Sequence, residues 1–563
     1  MQTKNLKERT RAQESSSAIE LLYITMRHLF SRGFYKPLGV SGETLKQALL
    51  QLKPEIYGSL TEEKVELVGL VYVIERLPEG IEECKFINLT SDEGYANSHF
   101  TPIVPKKRRR NCYRIDRDQM NIEITRGRSE IYDILTHLTF LFSESQKIAD
   151  IVLLKAENYQ GRAWDKIEEV VLKNESLSGQ QQEIMLMHVA GILGRTFEET
   201  QKTYHQLSES KHSERFIHLI YWLGKRAIDE RIHGEKRYVA FSQTLRERIG
   251  HHIYGEIWAD KIKTLLYDRN LISRPLHIIS ANMHSVMNSM YASTVLKEYD
   301  DISNPSAVFE LLSKEENKHL QKKVKEYAQQ NGLSYIEDTS GANIDVQVID
   351  TSKIDIDHPY FKINKSDPDE QKPVIIVMDY AFGEQAYETM DELLKPYLMD
   401  NRKEVHLPVA SISIMGKAGT LQGNKGDIMI PSAHIFEGTA DNYPFENELS
   451  TATFEGNEID VHDGTMVTVL GTSLQNKDIL EFFHDSTWKV TGLEMEGAHY
   501  QKAIQAASKI RGNISDKIKV RYAYYASDNP LQTGSTLASG ALGLTGVKPT
   551  YLITQKILEQ IFQ

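Results

Sequence analysis

The chain has 563 residues, 40% hydrophobic and 26% charged, with a formal net charge of −12. A single core does not fill that length, so two or three domains are expected, and no apolar run approaches the ~18 residues that span a bilayer. The acidic balance disfavours nucleic acid, whose binding draws on lysines and arginines that neutralise phosphates, and favours small-molecule or protein partners.

The opening MQTKNLKERTRAQESSS has no apolar segment or small-residue cleavage site, so it does not read as a secretory signal and a cytoplasmic location is expected. Cys84 and Cys112 form no CxxC, and neither a disulfide nor a cysteine metal site is expected. No metal or other cofactor is called for elsewhere.

From Ser17 to about Asp300 the apolar period is mostly helical, as in AIELLYITMRHLF and EIYDILTHLTFLF. Residues 1–330 are therefore expected to form a helical region, with an irregular or β insertion at about 78–125, where turn formers and short alternating runs break the pattern. Within that stretch Lys106, Lys107, Arg108, Arg109 and Arg110 form a basic run that could hold a phosphate-rich ligand, or could be a solvated loop. Further on, His277, His284 and Asn288 fall on nearby faces of one expected helix. With His251 and His252 they could line a second polar site or satisfy one another between helices.

Residues 331–372 read as a connecting segment, and from Pro373 the grammar is α/β. PVIIVMDYA, VHLPVASISIM, MVTVLGT, KVTGLEME and KVRYAYYAS are expected strands separated by helices, which implies a largely parallel sheet covered on both faces. Three segments sit at strand ends, where open α/β sheets place ligands. Gly416-Lys417-Ala418-Gly419, followed by GDIMIP, would let backbone N–H groups approach an anion, or could simply make a tight turn. Glu494, Met495 and Glu496 put two carboxylates at a strand end, one of which could cap the following helix. Asp528 closes an apolar strand, where it could be catalytic or a turn residue.

The order strand, GxAG, GDIxIP, EMEGA, SD resembles the nucleoside phosphorylase and nucleosidase superfamily over roughly the last third of the chain. The resemblance implies a three-layer α/β/α domain at 373–563 with a central mixed sheet, a purine nucleoside or nucleotide as ligand, and a homo-oligomer. It also implies roles. Asp528 would protonate or hydrogen-bond purine N7. Glu496, with Met495 and Glu494 beside it, would meet the ribose; Thr472, Ser473 and Leu474 would line the base pocket; Glu384, after the first strand, would orient an attacking water. Ile414 and Met415 stand where phosphorylases carry an arginine before the glycine turn, which favours water as nucleophile. Lys417 and Tyr524 stand where nucleosidases carry a serine and an arginine, so Lys417 could instead hold a phosphate. About 35 residues separate the first expected strand from the GxAG turn, which shortens the usual hairpin. The readings left open are a nucleosidase, a phosphate-dependent phosphorylase, and a nucleoside sensor without turnover, each with a regulatory or partner-binding helical region.

Overall fold

The computed structural model describes residues 10–154, 159–208, 213–297, 305–354, 361, 366–399, 402–439, 441–532 and 543–563. Residues 1–9 of the segment read for a signal, and parts of the expected connecting segment, lie outside them. The chain divides into two compact units: residues 1–125, 130–250 and 473–479, and residues 126–129, 251–472 and 480–563.

The N-terminal unit is mostly helical and takes in, from Glu130 onward, the 28-residue helix α1 (Gly127–Leu154), the longest among the described residues. It also holds a five-stranded mixed sheet in the order Phe34–Tyr35, Tyr238–Phe241, Phe86–Thr90, Gln119–Glu123, Cys112–Arg114. Three of those strands lie at about 78–125. Cys84 and Cys112 are both free and buried. The basic run does not form a solvated patch throughout. Arg108 grips Asp133 through two nitrogens at 3.1 and 3.3 Å, and buried Arg110 meets Glu130 at 3.3 Å and Asp133 at 3.5 Å. The carboxylates that capture these arginines come from α1, a helix the run itself gives no sign of.

The main sheet of the C-terminal unit has ten strands among the described residues: β1 (Leu276–Ser280), β2 (Leu333–Ile336), β3 (Val346–Asp350), β4 (Val374–Met378), β5 (Val409–Thr420), β6 (Ile428–Phe436), β7 (Asn442–Pro444), β8 (Val461–Thr468), β9 (Val490–Glu494) and β10 (Lys519–Asp528). They run in the order β7-β6-β8-β9-β5-β1-β4-β3-β2, with β10 pairing both β5 and β6. The sheet is mixed: β1 is parallel to β4 and β5, whereas β2, β3 and β4 form an antiparallel meander.

Four sequence readings change here. The sheet does not begin at Pro373: LHIIS, read as helical, is the buried strand β1 between β4 and β5. The run 275–288, which follows helix α2 (Ile253–Asp268), is therefore not one helix but a strand followed by helix α3 (Met283–Val295), capped by Asn282, whose side chain accepts from His284 N. Nor is the expected hairpin short or missing, since β2 and β3 precede β4. The sheet also departs from an open three-layer sandwich, because the pairings β5–β10, β10–β6, β6–β8, β8–β9 and β9–β5 close into a ring.

Twelve-residue β5 makes the closure. It pairs β1 through Val409–Ile414, runs beside β10 along most of its length, and at Gly419–Thr420 pairs β9. A register shift between Ala418 and Gly419 bends it there, as bulges do. Glycine is needed at the crossing, since a Cβ on Gly492 would lie 2.7 Å from the Gly419 carbonyl oxygen and 2.5 Å from Met429 Sδ. Helices α3 and α6 (Val547–Ile561) pack against each other, and Val286, Met290, Ile553 and Ile557 belong to one core with Ile279 and Val377.

Candidate active site

The two EMEGA carboxylates take different roles. Glu494 ends β9 and is 4% exposed. Its Oε2 accepts from Glu496 N and Gly497 N, capping α5 (Gly497–Gln505), while Oε1 accepts from Thr468 Oγ1 and lies 3.5 Å from His434 Nδ1. Burial alone would raise its pKa, but His434, Thr468 and the Gly497 N–H together hold it below the ordinary carboxylate value. Glu494, read as a ribose ligand, is thus filled by its own helix cap.

Glu496 turns the other way. Its Oε1 accepts from Gly383 N at 2.8 Å and its Oε2 from Met495 N at 3.2 Å. Burial and the neighbouring Glu494 charge push its pKa up to about 8, against the two N–H donors. The two carboxyls are therefore driven apart, Glu494 toward the ionised form and Glu496 toward the protonated one. Around them, His434 stacks on Phe445, and Tyr524 sets its edge to the His434 ring. The packing is tight: a Cβ on Gly497 would lie 2.3 Å from His434 Cε1 and 2.7 Å from the Tyr524 hydroxyl.

Asp528 ends β10, is 6% exposed and accepts from Ser527 Oγ. Gly419 is the register partner of both Asp528 and Leu493, the residue before Glu494. Two strand spacings of ~4.8 Å thus put the Asp528 and Leu493 backbones on the order of 10 Å apart.

Glu384 does not follow the sheet's first strand. It stands at the N-terminus of α4 (Gln385–Leu393), and its Oε1 pairs with Arg128 at 2.9 Å. A carboxylate held this way is occupied by a cation rather than offered to water. Thr472, Ser473 and Leu474 form a short 3-10 turn, and Ser473 and Leu474 sort with the N-terminal unit. There Asn476, just beyond, donates to Ser15 Oγ and to the Leu52 carbonyl.

Lys417 is exposed although it lies in the central strand β5, and it lines a cavity of about 380 Å³. Asn282, His284 and Asn288 at the start of α3, Tyr525 of β10, and Thr550 and Tyr551 of α6 complete much of the wall. Asn288 is 4% exposed, donates to Tyr551 Oη at 2.8 Å, and its Oδ1 has no partner among the described residues. Of these, His284 and Asn288 were expected on one helix with His277, and α3 does carry both of them but not His277. His277 instead bonds Ser411 Oγ at 2.7 Å from within the sheet, and burial, with Arg521 and Lys519 nearby, pushes its pKa down to about 4. Neither Glu496 nor Asp528 is among the described walls of this cavity. Three metal-ligand types do converge elsewhere: His252, Asp391 and Glu392 offer atoms within 4.8 Å of one another. Arg511 and Lys395 already pair with the two carboxylates, which disfavours a cation there.

A sequence profile described as "Family of unknown function (DUF6909)" matches residues 43–304 and 308–563. The chain belongs to that family. A comparison with curated proteins finds no match. Among solved structures, this DUF6909 chain is similar to the Campylobacter jejuni 5'-methylthioadenosine/S-adenosyl homocysteine nucleosidase, at 11% identity and a TM-score of 0.30 over 51% of this chain and 99% of that one. It is similar to the futalosine hydrolase of Helicobacter pylori strain 26695 at 12% identity and a TM-score of 0.29, over 51% and 99%. It is also similar to Helicobacter pylori MTAN at 12% identity and a TM-score of 0.30, over 51% and 98%.

Proposed function

We propose that the C-terminal unit of this DUF6909 protein hydrolyses the N-glycosidic bond of a purine nucleoside or nucleotide. The observation that carries the reading is the division of roles at the EMEGA segment: Glu494 caps α5 through Oε2, and Glu496 beside it is left free of the cap, its Oε1 held by Gly383 N. The motif order and Asp528 at the end of β10, which pairs with β5 as β9 does, support it.

In this reading the bond from base to ribose lengthens, its electron pair goes to the base, and positive charge gathers on the sugar. Asp528 delivers a proton to the departing purine, and water adds to the anomeric carbon and loses a proton. Glu496 accepts from the ribose hydroxyls, and once ionised its charge offsets the developing cation. Lys417 in its polar cavity favours a phosphorylated ligand, whether a nucleotide or free phosphate.

The Arg128–Glu384 pair favours a second reading, a sensor that binds nucleosides without turnover, because the candidate water-orienting carboxylate is already engaged. The test is incubation of the full chain with purine nucleosides and 5'-nucleotides, with and without phosphate, followed by chromatography for free base. Base released without phosphate is the expected result. Release only with phosphate makes the protein a phosphorylase, and binding with no release under any condition replaces the enzyme by the sensor.

A further inference from the structure

Residues Arg126–Ser129 belong to the C-terminal unit, although they lie far ahead of the rest of it in sequence. Two of them meet the turn that opens α4. Ser129 Oγ accepts from Glu384 N at 2.9 Å, and Arg128 Nη1 meets Glu384 Oε1 at 2.9 Å with both side chains only 15% exposed. The adjacent Gly383 N is the donor to Glu496 Oε1. Gly383 has φ of +57°, and a Cβ built on it would lie 2.2 Å from Ser129 Oγ. The hydroxyl therefore fits against bare backbone, in a place where no side chain could stand.

We propose that Ser129, backed by Arg128, is the positioning residue for Glu496: it clamps the Gly383–Glu384 turn so that the Gly383 N–H holds the Glu496 carboxyl in one orientation. What that carboxyl meets, a ribose, rests on the nucleosidase reading; the clamp does not. A carboxyl oxygen free to rotate would lose time in unproductive poses, and a fixed one presents the same acceptor to each ligand. The clamp also has an electrostatic consequence. N–H donors favour the ionised carboxylate, so a slackened turn leaves Glu496 harder to deprotonate. The other groups facing Glu496 are Glu494 on β9, Tyr500 on α5 and Tyr524 on β10, with Glu384 and Arg128 on the turn side. Removing one oxygen at Ser129 changes none of these charges.

The test is an infrared titration of the full chain without nucleoside, following the protonated-carboxyl band that disappears in Glu496→Gln. Ser129→Ala should move its midpoint up by roughly 0.5–1 pH unit, about half of what a whole hydrogen bond to a charged group is worth, because the Gly383 N–H is slackened rather than removed. Ser129→Thr, which keeps the oxygen, should titrate like the wild type. An unmoved midpoint in Ser129→Ala overturns the clamp even if that variant is less stable, and so does an equal shift in Ser129→Thr. Because no substrate is present, the two readings separate. A protein that releases no base yet shows the shift loses the nucleosidase reading and keeps the clamp. Base release with an unmoved midpoint does the reverse.

Discussion

Replacing Glu496 by Gln probes the protonation split directly. In the folded chain the Glu496 carboxyl is pushed up to about 8 from 4.5, first by burial and then by Glu494. Between those values the native state holds a proton that the unfolded chain has released, so unfolding becomes easier as pH rises. The stabilising contribution is complete below about 4.5 and is lost as pH passes through about 8. One pH unit of difference is worth ~1.4 kcal/mol, and the partly exposed side chain lets solvent screen the effect, which leaves roughly 1–3 kcal/mol between pH 5 and pH 8. Gln carries no such proton. It can still accept from Gly383 N but not also from Met495 N, a loss of about 1 kcal/mol that does not vary with pH. Thermal melts of both proteins from pH 5 to pH 8.5 isolate the term, because every other ionisable group is common to them. The wild type should lose roughly 2–10 °C relative to Glu496→Gln across that range. A difference that is flat, or that runs the other way, would mean that Glu496 is already ionised at pH 5 and that the split does not exist.

Asp528→Asn should cut base release by ~10²–10⁴ while purine binding persists, since an amide can hydrogen-bond the base but cannot deliver a proton; steady-state rates beside equilibrium binding check this. The kcat/KM of the wild type should climb as pH passes about 8, where the free protein's Glu496 ionises, and a profile that falls there would assign the neutral acid as the active form. Lys417→Met should weaken 5'-nucleotide binding about tenfold or more and leave the matching nucleoside unaffected, as read by calorimetry; equal losses for both would remove Lys417 from phosphate recognition. Arg110→Met should destabilise the N-terminal unit by about 3–5 kcal/mol, because it takes the buried guanidinium away from Glu130 and leaves Asp133 to Arg108, and denaturant unfolding followed by that unit's Trp164 and Trp222 would detect it.

Some of this was readable in the order of residues alone. The change from helical period to alternating strand and helix after Pro373 reflects backbone periods of 3.6 and 2, and the region does carry a mixed sheet. Glu494, Glu496 and Asp528 also announced themselves locally, as acids at the ends of apolar runs. Which of the two glutamates would cap α5 was not local: that depended on Thr468 and His434, brought from β8 and β6. LHIIS is too short to tell a buried strand from a helical turn, and only the slot between β4 and β5 decides it. Tertiary structure likewise decided what became of Arg108, Arg110 and Glu384. Each is an ordinary exposed-looking charge in the sequence, and each is spent on an ion pair with α1: Asp133 and Glu130 take the arginines, and Arg128 takes Glu384. A charge's partner is set by proximity in space, and sequence spacing carries that information only within one helix or strand.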